Sequence, residues 1–489
     1  MDKGLPYNFA KRHQVLLTWE QGLPVVSYVA TTIACSLLEA QRMAGRSAQF
    51  VRLETTPFQQ AFNHHYQSRA HSTESLAADI TDDLDLASLA EAIPQTEDLM
   101  EQEDEAPIIR LINAVFTEAV KQKASDIHIE TFETRMLIRF RVDGVLHEVL
   151  QPNRAMAPLL ISRLKVMAKL DIAEKRLPQD GRISLKIAGR EVDVRVSTLP
   201  ANNSERIVLR LLDKQAGKLD FAYLGMSQAD LTRFQELLHK PHGIILVTGP
   251  TGSGKTTTLY TGLQSIRHGE TNILTIEDPV EYDLEGIGQT QVNTKTGMTF
   301  AKGLRAILRQ DPDVVMVGEI RDLETAEIAI QASLTGHLVL STLHTNTAIG
   351  AITRLKDMGV EPFLLTSSII GLLAQRLVRV LCEYCKQPDN PNEREKELLG
   401  LPQDIEQAVI YRPVGCPHCN GKGFQGRCGI YELVPVNENL RTLIHDLSSE
   451  MSLNQEARKY AGSILDDGIQ KVLQGITCLE EVLRVTQES

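Results

Sequence analysis

The 489-residue sequence contains no long apolar run. A membrane-spanning helix needs about 18 or more consecutive apolar residues. The best candidate, residues 25–38, is shorter and is interrupted by two serines and two threonines, so we expect a buried helix there rather than a membrane anchor. The first residues, MDKGLP, also lack the basic and then apolar segments of a signal peptide. These absences predict a cytosolic protein.

Basic residues are missing from one segment, although the whole chain has 51 Lys and Arg against 63 Asp and Glu. Residues 70–109 carry twelve acidic residues and no lysine or arginine, which accounts for the net charge of −12. Acidic blocks with few aromatic residues are typically solvated linkers, and we predict such a linker at residues 71–106. An acidic helix packed on a neighbouring domain is the alternative. The balanced charge elsewhere argues against a nucleic-acid partner.

The patterns on either side of this linker predict a multidomain α/β protein. We expect a small N-terminal domain at residues 1–70 and a mixed α/β domain at residues 107–218. In the latter, Met136 to Val142 alternates apolar and polar residues like a half-buried strand, and Asp143-Gly144 supplies a hairpin turn. A third domain, residues 219–489, carries most of the motifs described below.

Residues 249–256, GPTGSGKT, fit the phosphate-binding loop pattern G-x-x-x-x-G-K-[ST] at every fixed position. The apolar run Ile244 to Val247 precedes the loop as a buried parallel strand would, and the threonines that follow can open a helix. Glycines let backbone N–H groups converge on phosphate oxygens, and the helix N-terminus adds its positive dipole end. The motif predicts a site for ATP and Mg²⁺, and an ordinary glycine-rich turn is the alternative.

Two side chains of this loop have specific expected roles. Lys255 should bridge the β- and γ-phosphates, and the Thr256 hydroxyl should ligate Mg²⁺. The residues predicted to bind the nucleotide are Gly249, Pro250, Thr251, Gly252, Ser253, Gly254, Lys255, Thr256 and Thr257.

Two apolar strands downstream of the loop lead into carboxylates. The first is ILTIE, which ends at Glu277, and the second is VVMV, which is followed by Gly318 and Glu319. The second is typical of the strand that holds Mg²⁺ and polarises the attacking water, but Gly318 replaces the usual aspartate. We predict that both carboxylates lie at one sheet edge, one as general base and the other on the hydrated metal. Which of the two carboxylates has which role stays open, and each could instead be a solvated strand-end acid.

A third strand, HLVLSTLH, ends in His344. This histidine could donate a hydrogen bond to the γ-phosphate and thereby couple hydrolysis to a conformational change. A purely structural histidine is the alternative, since imidazole is often bonded without catalytic duty.

Four segments, in this order, resemble the signature boxes of the type II/type IV secretion ATPase superfamily. They are the phosphate-binding loop, Glu277 to Tyr282, Arg309 to Asp322 and Thr335 to Asn346. The similarity extends from about Pro107 to Leu483, and Leu5 to Arg12 resembles the start of the type II secretion members.

This resemblance implies a hexamer of RecA-like C-terminal domains, each preceded by a PAS-like domain, with ATP held between the two. It also implies arginine fingers on the smaller domain, which match Arg195 and Arg210. Guanidinium groups suit that role because they are always charged and fork onto phosphate oxygens. The residues alone would favour exposed strand positions for both arginines.

Two C-x-x-C pairs, Cys382 with Cys385 and Cys416 with Cys419, are well separated along the chain. Each pair can aim two thiolates at one ion, so the four cysteines predict a structural, tetrahedral Zn²⁺ site. The site would lie in a module inserted at about residues 380–430. A redox dithiol is the alternative. The resemblance implies that such an insertion is characteristic of the secretion and pilus-extension members of the superfamily.

The resemblance implies a cytoplasmic ATPase at the inner membrane that drives pseudopilus assembly and protein export by a type II secretion system. Its N-terminal domain would bind the inner-membrane protein L, and its ring would act on the platform protein F. A type IV pilus assembly ATPase shares every catalytic box and is the close alternative. A nucleic-acid translocase is another, and Gly318 leaves open a nucleotide-gated scaffold that scarcely hydrolyses ATP.

Overall fold

The structure is a computed structural model, and it describes residues 5, 10, 13–20, 23–44, 48–54, 57–58, 61, 107–187, 190–213, 220–402 and 408–487. The predicted acidic linker lies outside these residues. Among the described residues, no helix is both long and apolar enough to cross a bilayer.

The first part of the chain forms a three-stranded sheet with one helix beside it. Its elements are β1 (Val15–Glu20), β2 (Leu23–Tyr28), α1 (Ala34–Ala44) and β3 (Gln49–Arg52). Strands β1 and β2 are antiparallel, and β2 and β3 are parallel. The helix predicted at residues 25–38 is confirmed only from Ala34 onward, where α1 begins, and is wrong before that, because the β-branched pair Val25 and Val26 belongs to the buried strand β2. A turn in which the Val29 N–H donates to Thr32 Oγ1 at 3.2 Å then separates that strand from the helix.

Residues 107–213 form the six-stranded domain, an antiparallel sheet of order β6-β5-β4-β9-β8-β7 with two helices packed on it. Its elements are α2 (Pro107–Lys121), β4 (Asp126–Thr131), β5 (Met136–Val142), β6 (Val145–Leu150), a 3₁₀ turn (Arg154–Met156), α3 (Ala157–Met167), β7 (Gln179–Ile187), β8 (Arg190–Ala201) and β9 (Ser204–Asp213). The predicted hairpin at Asp143-Gly144 is confirmed, since both residues have the positive φ, 50° and 85°, that a two-residue hairpin turn requires.

Residues 220–487 form the seven-stranded domain, whose sheet has the order β12-β11-β13-β14-β10-β15-β18. Its strands are β10 (Gly243–Thr248), β11 (Ile273–Glu277), β12 (Gly288–Gln291), β13 (Val314–Val317), β14 (Leu338–Leu343), β15 (Ile369–Leu381) and β18 (Phe424–Pro435), and the short pair β16 (Gln387–Asp389) and β17 (Ile410–Arg412) lies apart. All neighbouring strands of the large sheet are parallel except β15 and β18.

Helices cover both faces of this sheet. They are α4 (Phe221–Leu224), α5 (Gln228–Leu238), α6 (Lys255–Ile266), α7 (Phe300–Ile307), α8 (Leu323–Leu334), α9 (Gly350–Asp357), α10 (Pro362–Ser368), α11 (Glu393–Leu398), α12 (Glu438–His445), α13 (Glu450–Ala457), α14 (Ile464–Leu473) and α15 (Leu479–Thr486), with 3₁₀ turns at Thr294–Thr296 and Pro417–Cys419. Within β10, Ile244 and Leu246 join one core while Ile245 and Val247 join the other. Burial on both faces explains why this strand is uniformly apolar.

The strand register brings the polar ends of several strands to one edge. Ile276, Val317 and Ser341 are Cα partners across β11, β13 and β14, and Leu246 of β10 pairs with Ser341. Because these strands are parallel, the residues that follow them emerge at the same carboxyl edge. That edge is where the sequence motifs converge.

The six-stranded domain contains a buried ion pair that provides a test of its packing. Lys165 Nζ lies 2.6 Å from Glu205 Oε1 and donates to the Glu174 carbonyl at 2.7 Å, and both ionic side chains are almost completely buried. Removing one member leaves a buried charge uncompensated, so Lys165→Met should lower the free energy of unfolding by about 3–5 kcal/mol. Hydrogen exchange of β4 and β9 amides under increasing urea measures the loss.

The control is Arg176→Met, which removes an exposed pair with Glu174. That variant should leave the exchange unchanged. Equal behaviour of the two variants would contradict the assignment of Lys165 as a buried stabilising charge.

Candidate functional site

The glycine-rich loop follows β10 and leads directly into α6. Gly249, Gly252 and Gly254 have φ of 148°, 81° and 87°, values that side-chain-bearing residues rarely adopt. A Cβ on Gly249 would also lie 2.4 Å from the Gln375 carbonyl oxygen. Glycine is therefore required by the backbone path, and the predicted strand, loop and helix are all present.

Lys255 is folded back into its own loop. Its Nζ donates to the carbonyls of Gly249 at 2.8 Å and Pro250 at 3.0 Å, and only 9% of the residue is exposed. Burial lowers its pKa to about 8, and the Glu319 carboxylate opposes that shift. The ammonium group is thus held at the loop by carbonyl acceptors, and its positive charge would stabilise an anionic ligand that replaced them.

The rest of the loop surrounds this lysine. Pro250, Thr251 and Thr257 are exposed, and Thr256 is half-buried. The Ser253 hydroxyl is buried and makes no hydrogen bond to any described group. An unsatisfied buried hydroxyl beside an enclosed ammonium fits a polar ligand that supplies the missing partner.

Glu319, His344 and Arg321 form a second group at the same edge. His344 Nε2 lies 3.5 Å from Glu319 Oε2, and Arg321 forms an ion pair with the same carboxylate. Burial and the positive charge of Lys255 lower the pKa of His344, which favours a neutral imidazole near pH 7. The structure therefore brings Lys255, Glu319 and His344 together, as the sequence predicted.

Glu277 belongs to a different network. It is 3% exposed, and its carboxylate accepts hydrogen bonds from the Tyr260 hydroxyl, from Thr275 Oγ1 at 2.6 Å and from Gln289 Nε2 at 3.1 Å. Because Thr275 and Glu277 are two apart on β11, they face the same side of the sheet, where Tyr260 of α6 lies. Its carboxylate is thus engaged by protein donors on that side.

The glycine that replaces the customary aspartate has a packing explanation. A Cβ on Gly318 would lie 3.3 Å from both Glu277 Cα and the Ile276 carbonyl oxygen, and 3.5 Å from the Phe300 ring. The Gly318 carbonyl also accepts from Thr342 Oγ1 at 2.7 Å. The end of β13 is therefore packed against β11, which leaves little room for a carboxylate.

The two predicted arginine fingers lie side by side on the six-stranded sheet, since Arg195 and Arg210 are Cα partners. Arg195 reaches the seven-stranded domain, where its Nη2 donates to the Val280 carbonyl at 2.7 Å and its Nη1 lies 3.2 Å from Glu281 Oε2. Arg210 Nε instead donates to Asp126 within its own domain at 2.8 Å. Of these two arginines, Arg195 is thus the one that makes a described hydrogen bond to the other domain.

Sequence reasoning missed several residues that organise this edge. Tyr260 and Gln289 hold Glu277, and Glu281 and Arg321 pair with the predicted Arg195 and Glu319. Glu281 and Arg321 lie within the signature segments and could have been found there. Tyr260 and Gln289 carry no comparable motif.

The four motif cysteines converge between the end of β15 and the start of β18. Their Sγ atoms all lie within 4.8 Å of one another, with 3.8 Å between Cys382 and Cys416, between Cys385 and Cys419, and between Cys416 and Cys419. Four thiolates about 2.3 Å from one tetrahedral ion would be about 3.8 Å apart. The cluster therefore has the dimensions of a closed metal site.

Backbone N–H groups support these thiolates. Gly415 N–H donates to Cys385 Sγ at 3.3 Å, and Cys416 and Gly423 N–H donate to Cys419 Sγ at 3.2 and 3.1 Å. Such hydrogen bonds favour the negatively charged sulfur that a metal requires. The residues present fit a divalent metal ion with four cysteine ligands.

A mostly parallel sheet with a phosphate-binding loop motif at its carboxyl edge places the chain in the class of nucleotide-binding α/β proteins. The sequence profile described as Type II/IV secretion system protein matches residues 101–484, and the profile of an N-terminal domain of GSPII protein E matches residues 4–66. The chain belongs to the type II/IV secretion system protein family.

Individual relatives narrow this assignment. The chain is 60% identical over 490 residues to the type II secretion system protein E of Pseudomonas aeruginosa, covering 99% of this chain and 96% of that protein. It is 57% identical over 488 residues to the type II secretion system ATPase E of Vibrio cholerae, covering 99% and 97%. The type II secretion assignment predicted from the sequence is confirmed over the type IV pilus assembly alternative.

Solved structures agree with the fold. The pilus retraction motor PilT with bound ADP matches with a TM-score of 0.51 and 28% identity, covering 76% of this chain and 96% of that one. The ATPase DotB of Legionella pneumophila matches with a TM-score of 0.58 at 20% identity, covering 80% and 98%, which concerns the fold alone. The mixed α/β architecture with a tetracysteine cluster is confirmed.

The lowered pKa of Lys255 predicts a pH dependence of ATP binding. The ammonium form attracts phosphate and the neutral amine does not, so affinity should fall as the pH rises above about 8, by up to about tenfold per pH unit. Binding of a fluorescent ATP analogue between about pH 7 and pH 10 measures this. The control is Lys255→Arg, whose guanidinium stays charged throughout. A wild-type profile as flat as that of the variant would contradict the prediction.

Proposed function

We propose that this chain is an ATP-hydrolysing motor that powers pseudopilus assembly and protein export by a type II secretion system. The observation that carries the proposal is the convergence of Lys255, Glu319 and His344 at one sheet edge. The membership of the chain in a secretion ATPase family supports the same reaction.

Phosphoryl transfer to water needs charge neutralisation at the phosphates and a base beside the attacking water. Lys255 would exchange its carbonyl acceptors for the β- and γ-phosphate oxygens, and loop N–H groups would hold the remaining oxygens. Thr256 would hold Mg²⁺, which neutralises charge developing on the phosphates. The neutral His344 would donate to the γ-phosphate and lose that contact when the phosphate departs.

We assign the general base to Glu319 rather than to Glu277. Glu319 follows the end of its strand beside Lys255, its side chain is 12% exposed, and its oxygens face Arg321 and His344 rather than buried uncharged donors. Glu277 is almost fully buried and accepts from three protein donors, so its oxygens are already engaged and a water has little access to them. Its proposed role is to position α6 and the segment that follows β11.

Arg195 and Arg210 would supply positive charge from the six-stranded domain, so that ATP is sensed by two domains at once. The Arg195 contact to Val280 and Glu281 supports this, because it places a guanidinium on the segment that follows Glu277. We further propose that the domain bounds are 1–70, 71–106, 107–218 and 219–489, and that six chains assemble into a ring.

We propose zinc as the metal of the tetracysteine cluster, since four thiolates in a tetrahedral arrangement are typical of structural Zn²⁺. The location we propose is the cytoplasmic face of the inner membrane. There the N-terminal domain would bind protein L, and the ring would act on protein F. The match of residues 4–66 to a separate domain profile supports a dedicated role for that region.

The assignment of the base predicts a distinct effect of an isosteric substitution. Glu319→Gln should lower kcat by about 10²–10⁴-fold with ATP affinity retained, because it removes the proton acceptor and keeps the shape. Steady-state Mg-ATPase assays together with equilibrium ATP binding measure the two quantities. Full activity of Glu319→Gln would exclude this residue as the base.

The positioning role of Glu277 is tested in the same assay. Glu277→Gln and Tyr260→Phe disrupt the same hydrogen-bond network, so the two variants should change kcat in the same direction. The double variant should be no worse than the more severe single one. Additive losses would show that Glu277 acts independently of Tyr260.

Metal content tests the zinc proposal. The purified chain should contain one Zn²⁺ per chain, and Cys419→Ser should lose it because the variant removes one of four ligands. Elemental analysis by mass spectrometry measures this. Cys428→Ser is the matched control, since Cys428 is not part of the cluster. Loss of zinc from both variants, or retention in both, would contradict the assignment.

The experiment that tests the whole proposal is the specific Mg-ATPase activity of zinc-loaded protein across a wide range of protein concentration, with Lys255→Ala as blank. Activity per chain that rises with concentration is the expected result, because a ring must assemble for the sites to work. Activity that stays at the level of the blank throughout would overturn autonomous hydrolysis.

A further inference from the structure

The six-stranded domain contacts the seven-stranded domain at both edges of its sheet. At the edge formed by β7 and β8, Arg195 binds Val280 and Glu281, and Arg182 donates to Gln291 at 3.4 Å. At the opposite edge, the turn between β5 and β6 touches the start of β18, next to the tetracysteine cluster. This second contact involves none of the residues of the candidate nucleotide site.

Asp143 makes the contact at that turn. Its Oδ2 accepts from the Gly426 N–H at 3.1 Å, and its Oδ1 lies 3.6 Å from Arg427 Nε. The Asp143 side chain is only 23% exposed. A hairpin of one domain is thus held by a carboxylate that pairs with both a backbone donor and a guanidinium of the other.

The segment that receives Asp143 is built on the cysteine ligands. Gly423 N–H donates to Cys419 Sγ at 3.1 Å, and the Gly423 carbonyl accepts from the Cys382 N–H at 3.0 Å. Gly423 is therefore fixed by two of the four cysteines, three residues before Gly426. A displacement of Cys382 or Cys419 would therefore move Gly423 and disturb the contact that Asp143 makes with Gly426.

We propose that metal loading of the tetracysteine cluster and docking of the β5–β6 hairpin on residues 422–427 are coupled. The metal module thereby holds the six-stranded domain at the edge opposite Arg195. When nucleotide binding changes the contacts at the edge that carries Arg195, the contact made by the β5–β6 hairpin would be retained. This proposal rests on metal binding by the cysteines, and it is independent of ATP hydrolysis.

Coupling between two sites is reciprocal, so loss of the hairpin contact must lower the affinity of the cysteine cluster for its metal. Asp143→Gly removes the carboxylate and suits the positive φ of 50° at this position, so the turn itself is kept. We expect Zn²⁺ affinity, measured by competition with a chromogenic chelator, to fall about fivefold. Asp143→Asn keeps an acceptor and should fall less. The control, Glu133→Gly, removes an exposed acid from another turn of the same sheet and should leave the affinity unchanged.

Hydrogen exchange supplies the second arm. In wild type, removal of Zn²⁺ should increase exchange in the 142–146 turn, whereas in Asp143→Gly the turn should exchange fast with or without metal. Equal Zn²⁺ affinity of Asp143→Gly and Glu133→Gly would overturn the proposal. Hydrogen exchange of the wild-type turn that is the same with and without Zn²⁺ would overturn it as well. A wild-type chain that binds no Zn²⁺ would instead overturn the metal assignment itself.

Discussion

The parallel pairing of β10, β13 and β14 is the constraint on which the site depends. Strands of this kind place the residues that follow them at one edge, so the phosphate-binding loop, Glu319 and His344 meet although they are far apart in the chain. The pairing is possible because both faces of these strands are buried under helices. Burial in turn lowers the pKa of Lys255 and that of His344, so the packing that builds the edge also sets its chemistry.

A consequence of this packing is that the two strand-end glutamates lie in different environments. Glu277 is the last residue of β11 and keeps the alternation of that strand, which turns it toward Tyr260. Glu319 lies two residues beyond the end of β13, where alternation no longer fixes its direction. Gly318 permits the close approach of the two strands.

Much of this could be predicted from the sequence because the decisive signals are local. The phosphate-binding loop, the cysteine pairs and the hairpin at Asp143 depend on glycines, thiols and turn residues at fixed spacings, and the structure contains all three. The helix predicted at residues 25–38 was wrong before residue 34, where the chain forms the end of β2 and a turn. Its apolar content was visible, but whether a short apolar run forms a strand or a helix depends on the neighbours it pairs with.

The sequence by itself determined the kind of chemistry, since residue types and spacings specify which groups can bind phosphate or a metal ion. Only the tertiary structure decided which of these groups share a site. It set Glu277 apart from Lys255, joined Arg195 to Glu281, and connected Asp143 to the cysteine module. The physical reason is that side-chain direction and contacts between domains arise from packing among residues distant in the chain, which no local pattern encodes.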